Sequence, residues 1–460
     1  MRFVKRFGFA AACRRVGMEI RQLVTSLSDG ESARAPVIHT RRGIEPRSEP
    51  NENATVSVAI PVKDAGDDLT LLLSSLLAQK GFRKIEIVVV DSGSADRSVE
   101  TAKEFGAKVL QILPEEFSHS DARNLAAEQA SGDYILFTVQ DALPASDLWL
   151  HELFSALKNN HVAAVSCAEY PREDADLFYR ACSWNHYKFL GVDKHDRIMS
   201  KPKIENYFTM RKNAGLSNLA CLMPRQLFLK YKFRGDFAED LELGLRLIRD
   251  GHKLAMLSST RVIHSHNRPA FYYFKRGYAD VLLLCQIFSD LPIVNLNPHG
   301  LTQDILFVRD VVGALVERLT RIRVGCSVDC ISKIVVNHYR SSIKRHQRVA
   351  TLAGANGYMD ERFDLFLVNL REQFGSCPSS EFDRGGVLLG SMQGASQTIL
   401  EYMDEFYEMV DERLLDEFRA SLYKMLAHQC GSHLASCYAK GSEQIKSELE
   451  ELNKELIRGV

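Results

Sequence analysis

Asp141 lies in the run SGDYILFTVQDALP, in which an apolar strand from Tyr134 to Val139 leads straight into Gln140-Asp141, and a helix signal starts just after it at Ser146. A carboxylate at the C-terminal lip of a buried parallel strand stands where α/β sheets place their ligands. One carboxylate there could hold a divalent cation against a substrate diphosphate. Other groups share this geometry. The first strand ends in Pro61-Val62-Lys63-Asp64 and the second in Asp91-Ser92-Gly93-Ser94-Ala95-Asp96. An Asp at such an end can accept from a base N–H, and small residues after it let the backbone approach a ligand. A β-turn with a helix cap accounts for the same residues.

Arg123 and Asn124 lie in the first turns of HSDARNLAAEQA. Arginine there offers a planar fork for phosphate oxygens at a helix end that already favours anions; a surface Arg and a capping Asn are the plainer reading. Glu239 and Asp240 open the helix LELGLRLIRD. Acids there complement the helix dipole, yet a carboxylate beside a strand-edge cleft also suits a general base for an alcohol. The strand RVIH delivers His264-Ser265-His266, two imidazoles on one loop with the side chain that commonly binds transition metals.

The elements that must position these groups follow from periodicity. TVSVAIPV, KIEIVVVD and AKVLQIL read as strands, separated by the helices DLTLLLSSLLAQ and DRSVETAKEF. HSDARNLAAEQA then leads to the strand before Asp141. Strands alternating with helices of this length imply βαβ units and a parallel sheet with right-handed crossovers, so the strand ends share one edge. HVAAVSCAEY, SNLACLM and LAMLSSTRVIH continue the sheet. Between Tyr170 and Ala214 a polar and aromatic stretch with Trp184, Tyr187, Phe189, Tyr207 and Phe208 reads as a long loop, of the kind that often serves as a lid.

Beyond Pro269 the chain turns helical. Leu301, Ile305, Val308, Val312, Leu315, Leu319 and Ile322 form a seam for another helix, within the chain or on a second copy as a homodimer. Residues 318–348 carry eight Lys/Arg against Asp329 alone, a face for anionic lipid or for solvent. A Gly/Ser-rich break from GSCPSS to GSMQGAS divides this region near 375–398. At the other end, Phe3, Val4, Phe7, Ala10 and Ala11 oppose Arg2, Lys5 and Arg6 on a short amphipathic helix, a membrane-surface anchor or a frayed terminus; residues 28–54 read as a linker.

Composition bounds the class. With 45% hydrophobic and 25% charged residues and a net charge of −1, the 460-residue chain suits two or three soluble domains and not a nucleic-acid binder. Ten cysteines without a CxxC pair fit reduced thiols in a cytoplasmic setting. Neither a membrane span nor a secretory leader is expected.

The order IPVKD, DSGSAD, ARN, a strand ending in Asp, AEDLELGLR and V-x-H resembles the GT-A fold glycosyltransferases of family two, over residues 55 to about 275. DSGSADRS, TVQDALP and VIHSHN look most like the bacterial rhamnosyltransferase branch. The resemblance implies a GT-A domain, Rossmann-like with a mostly parallel sheet flanked by helices, at 55–275. A basic extension at 1–54 precedes it and a helical region at 276–460 follows. It further implies a nucleotide-sugar donor, dTDP-rhamnose-like or UDP-linked, bound by Pro61, Asp64, Asp91, Ser92, Gly93, Arg123, Asn124 and Gln140. A Mg²⁺ or Mn²⁺ ion would be held by Asp141, His264 and His266. Asp240 would be the acceptor-activating base with Glu239 beside it, and transfer would invert configuration. The acceptor would be a glycan or lipid-linked saccharide at the cytoplasmic face of a membrane, in cell-surface polysaccharide synthesis. One departure stands out: Val139 replaces the first acid of the family's DxD motif, so one negative charge is missing. Two other classes compete. A sugar-1-phosphate nucleotidyltransferase would need a Gly-rich phosphate loop that IPVKDAGDD lacks. A catalytically inactive scaffold would work through its helical C-terminal third.

Overall fold

The computed structural model describes residues 53–457 except 295, 323, 345–357, 359 and 375–385. The amphipathic segment at 1–11, the linker up to residue 52 and the basic residues from 345 to 348 lie outside that set. The described chain divides into two compact units, Met1–Glu173 with His186–Ser265, and Asp174–Asn185 with His266–Val460.

The first unit is built on nine strands: β1 Thr55–Val62, β2 Lys84–Asp91, β3 Lys108–Gln111, β4 Tyr134–Phe137, β5 Leu143–Pro144, β6 Ala164–Tyr170, β7 Arg197–Met199, β8 Cys221–Pro224 and β9 Leu254–Ile263. They form one sheet in the order β3-β2-β1-β4-β8-β6-β9-β5, with β7 on β9. IVVV is a continuous apolar run, and VSVAI is interrupted only by the buried Ser57, because the inner strands are covered on both faces. Their helices are α1 Gly66–Leu77, α2 Ser98–Glu104 and α3 His119–Gln129.

The parallel expectation holds for β3-β2-β1-β4. Beyond it the sheet is mixed: β8 runs antiparallel to both β4 and β6, while β6 and β9 are parallel. The strand before Asp141 also ends earlier than its apolar pattern suggests. β4 stops at Phe137, Gln140 and Asp141 form a turn, and the next helix, α4, spans Trp149–Asn159.

The stretch from Tyr170 to Ala214 is not a long loop. It contains α5 Leu177–Leu190, β7 and α6 Tyr207–Asn213. Leu177, Phe178, Ala181 and Trp184 fall on one helical stripe, and all are buried; the intervening Arg, Asn and His side chains masked that periodicity. The unit is completed by α7 Arg225–Tyr231 and α8 Glu239–Arg249.

The second unit is helical: residues 177–185 of α5, then α9 Ala270–Ile287, α10 Pro298–Thr320, α11 Val328–Lys344, α12 Glu361–Phe374, α13 Gly386–Phe406, α14 Glu412–Lys440 and α15 Glu443–Ile457. The seam from Leu301 to Leu319 lies on α10 and is buried in this unit's own core, so that face is not available to a second copy. GSMQGAS is helical, within α13, although its glycines argue for a break. Leu388, Leu389, Met392, Ile399 and Met403 anchor the inner face, while a Cβ at Gly390 or Gly394 would meet nothing within 4 Å. Only helix propensity is lost there.

Helices α9 and α14 cross at backbone contact. A Cβ at Gly277 would lie 2.2 Å from the His428 carbonyl oxygen, and one at Gly431 would lie 2.0 Å from that of Phe274. Among the described residues no helix is long and apolar enough to cross a membrane.

Candidate functional site

At the β1/β2 edge, the register pairs Val62 with Asp91 and brings the two strand ends level. Asp64 adopts a left-handed backbone conformation, φ 46°. Its Oδ1 accepts from the Ala95 N–H at 2.7 Å, and its own N–H donates to Ser94 Oγ at 2.9 Å. The Asp64 side chain is exposed at this lip, next to the half-buried Pro61. Asp91 and Ser92 are buried. Asp91 accepts from the N–H groups of Gly93 and Ser94 at 3.2–3.3 Å, so locally it closes its own turn. Gly93 is required there: φ is +84° and a Cβ would meet Pro114 Cγ at 2.8 Å. Gln140 joins the neighbouring lip. It accepts from the Lys63 N–H at 2.8 Å and donates to the Lys63 carbonyl at 3.1 Å. Pro61, Asp64, Asp91, Ser92, Gly93 and Gln140 therefore share one edge.

Arg123 and Asn124 face elsewhere. Asn124 exchanges hydrogen bonds with the backbone of Phe233, donating at 3.1 Å and accepting at 3.0 Å. Arg123 is 4% exposed. Its Nη1 donates to Glu239 Oε1 and to the His119 carbonyl, each at 3.0 Å. This ion pair links α3 to the start of α8, whose N-cap residue Ala238 takes a left-handed conformation. Asn218 completes the cluster. Its Nδ2 donates to Glu239 Oε1 at 2.7 Å, and its backbone N–H donates to Asp240 Oδ2 at 3.2 Å.

Glu239 is buried and Asp240 half-buried. Removal from water, and then the charge of Glu239, push the Asp240 carboxyl from 3.8 up to about 6, against the opposing pull of two backbone N–H donors and Arg123. A carboxylate tuned toward neutrality in this way suits proton abstraction near physiological pH.

The third cluster gathers around His264, one residue past β9. His264 Nε2 lies 3.7 Å from Asp141 Oδ1, and its Nδ1 lies 3.4 Å from Glu169 Oε2. His266 follows on the same loop. One ligand atom from each of Asp141, His264 and His266 lies within 4.8 Å of the others, a spacing that one cation could bridge. The donor set, one carboxylate and two imidazoles, suits Mn²⁺ better than Mg²⁺, which prefers all-oxygen shells. Arg172 holds the turn in place. Its Nη2 donates to the Asp141 carbonyl at 2.9 Å, and its backbone N–H donates to Ser265 Oγ at 3.1 Å. Val139, where a second acid is absent, packs against the sheet's core.

Sequence reasoning missed Glu169, Arg172 and Asn218. Glu169 carried a usable signal, because it is an acid at the end of an apolar strand, as Asp141 nearly is. Asn218 and Arg172 matter only through long-range contacts, and the sequence holds no local trace of those.

Comparison with known proteins matches residues 57–228 to the family described as Glycosyl transferase family 2. The chain is 30% identical over 201 residues to the O-antigen chain rhamnosyltransferase WbaN of Salmonella anatum, covering 42% of this chain and 60% of that protein. It is 27% identical over 229 residues to the O-antigen chain rhamnosyltransferase RfbN of Salmonella typhimurium, covering 48% and 70%. An uncharacterized glycosyltransferase of Haemophilus influenzae is 32% identical over 221 residues, covering 47% of this chain and 78% of that protein. The family match ends before Asp240 and His264.

Proposed function

The chain belongs to glycosyl transferase family 2, and on that premise we propose that it transfers a sugar from a nucleotide-diphosphate donor to an acceptor hydroxyl with inversion of configuration. The observation that carries this reading is Asp240, a carboxylate with its pKa raised to about 6 and held by Asn218 beside the Arg123–Glu239 pair. Asp240 accepts the acceptor hydroxyl's proton as that oxygen bonds to the anomeric carbon. The bond from that carbon to the diphosphate oxygen breaks on the opposite face, and both electrons leave with the diphosphate. A single displacement without a covalent intermediate inverts the centre.

Asp141, with His264 and His266, would hold a divalent cation; such a cation, when bound, stabilises charge on the diphosphate. Asp64 at the exposed lip is the donor-facing residue of the β1/β2 edge, with Pro61, Ser92, Gly93 and Asp91 shaping the backbone behind it. Arg123 acts on this reading through Glu239 and Asp240, and Asn124 and Gln140 act by fixing the local backbone. The relatives named as O-antigen rhamnosyltransferases support a dTDP-rhamnose-like donor and a glycan or lipid-linked acceptor, with a UDP-sugar as the other donor choice. Asp240's environment argues against an inactive scaffold.

Release of nucleotide diphosphate from a panel of dTDP- and UDP-sugars tests this function. No release from any donor, with or without candidate acceptors, would count against it. Asp141→Ala should lose stimulation by Mn²⁺, and a chelator should depress the wild type. Unchanged wild-type activity in excess chelator would remove the cation from the mechanism.

The pH profile offers a separate check. A base with a pKa of about 6 must be deprotonated, so kcat/KM should fall as pH drops through that value. Glu239 raises the Asp240 pKa, so Glu239→Gln should move this limb to lower pH. A limb that stays in place or moves upward contradicts the assignment.

Attachment to an anionic lipid surface is a further part of the reading. The exposed residues Arg318 and Arg340 favour it, whereas Arg321 and Lys333 already pair with Glu317 and Asp329. Co-sedimentation with anionic vesicles that is lost at high salt supports attachment; no sedimentation at low salt excludes it.

A further inference from the structure

We infer that Glu169 is a positioning residue: it fixes the tautomer and orientation of His264 so that Nε2 is presented, lone pair outward, toward the Asp141 carboxylate and the cation that the proposed function places there. The inference rests on that reading of the Asp141–His264 pair.

The geometry begins in the sheet. β6 and β9 are parallel, and the pairing jumps from Cys167↔Leu257 to Ala168↔Arg261. Residues 258–260 bulge out of the ladder. Asp196 caps that bulge, accepting from the N–H groups of Ser258 and Ser259 at 2.8 Å and from Ser259 Oγ at 2.7 Å. After the bulge, Glu169 pairs with Val262 and Tyr170 with Ile263. The His264 N–H then donates to the Tyr170 carbonyl at 3.0 Å. The imidazole is thus delivered beside Glu169. A slip of one residue would turn it to the opposite face.

The two ring nitrogens then have different partners. Nδ1 is 3.4 Å from Glu169 Oε2 and Nε2 is 3.7 Å from Asp141 Oδ1, with the side chains of His264 and Glu169 about nine-tenths buried. A carboxylate behind Nδ1 accepts the Nδ1–H of a metal-ligating imidazole and so directs Nε2 toward the ligand position. It also stops rotation of the ring and strengthens the donor nitrogen. The main chain at Glu169 is held from behind. Its N–H meets the buried Tyr187 phenol, whose pKa is raised by burial first and then by the Glu169 charge.

The test uses the full-length chain and Mn²⁺ alone, read by the loss of the free-ion electron paramagnetic resonance signal on binding. The wild type should bind. Glu169→Ala should bind about 10–100-fold more weakly, the usual loss when an outer carboxylate is removed. Glu169→Gln should recover part of this, since its amide oxygen still accepts from Nδ1–H. Wild-type Mn²⁺ affinity in Glu169→Ala would overturn the positioning role while leaving the cation reading intact. Absence of Mn²⁺ binding by the wild type would overturn both. If Glu169→Ala fails to fold, Glu169→Gln still decides, because an affinity at or below that of His264→Ala excludes the role.

Discussion

Asp240→Asn should lower turnover by at least ~10²-fold, the usual loss when a general base is removed, while donor affinity stays within a few-fold of wild type. Asparagine keeps the shape and can still accept from the Asn218 N–H that meets Oδ2 at 3.2 Å, but it cannot take the acceptor's proton. Single-turnover rates and equilibrium donor binding separate the two effects. Near-normal turnover would remove Asp240 from the mechanism.

The same variant should be more stable than wild type at alkaline pH. The folded-state pKa of about 6 lies above the ordinary value of 3.8, so the folded chain holds this proton more tightly than the unfolded chain does. The associated stability is fully present below about pH 4 and is lost as pH rises through 6. Asn stays neutral throughout. Melting temperatures should therefore favour Asp240→Asn at pH 8 and converge with wild type near pH 4. A variant that is less stable at pH 8 would contradict the buried-charge account.

Arg123→Ala should cost about 3–5 kcal/mol of folding stability, because it leaves Glu239 ionised and buried without its cation. The side chains of Arg123 and Glu239 are 5% and 8% exposed and 3.0 Å apart. Such a pair can be nearly neutral relative to an apolar one, whereas half of it is costly. The double variant Arg123→Met/Glu239→Gln should therefore recover much of the loss. Urea unfolding followed at two or more probes measures both. A loss below about 1 kcal/mol in Arg123→Ala would mean that water reaches Glu239 and that the pair is not the support of α8 described above.

β1, β2 and β4 were legible because their apolar runs leave few alternatives to a doubly covered strand, whereas the edge strand β3, with no buried residue, was legible only from its place after a helix. Asp141, Asp240 and His264 stood out as candidates for a related reason: each stands at or near the end of an element, where a polar residue is conspicuous. The antiparallel entry of β8 was not legible. Strand direction depends on where the intervening chain crosses the sheet, and α5, β7 and α6 determine that crossing. Arg123 was assigned from its helix-terminal position to a diphosphate, but in the fold it meets an acid far along the chain at Glu239. Local position reports that a guanidinium is available; only tertiary structure reports which anion meets it. GSMQGAS shows the converse error, since glycine composition suggested a break and the apolar face at Leu388, Met392 and Ile399 overrode it.

The helical unit's chain is discontinuous, since residues Asp174–Asn185 belong to it although they are made before much of the sheet unit. Leu177, Phe178, Ala181 and Trp184 join a core that extends to Leu456, and Asp176 and Arg180 pair with Lys424 and Glu417. During synthesis at about 5–20 residues per second, this apolar strip waits on the order of tens of seconds for its partners. The strip is therefore a natural client for a chaperone on the ribosome. A chain ended near residue 265 would keep the strip and lose everything that covers it, so the sheet unit cannot be cleanly isolated by a single cut. Excision of a boundary segment, or polar replacement of Phe178 and Trp184, would have to accompany the cut.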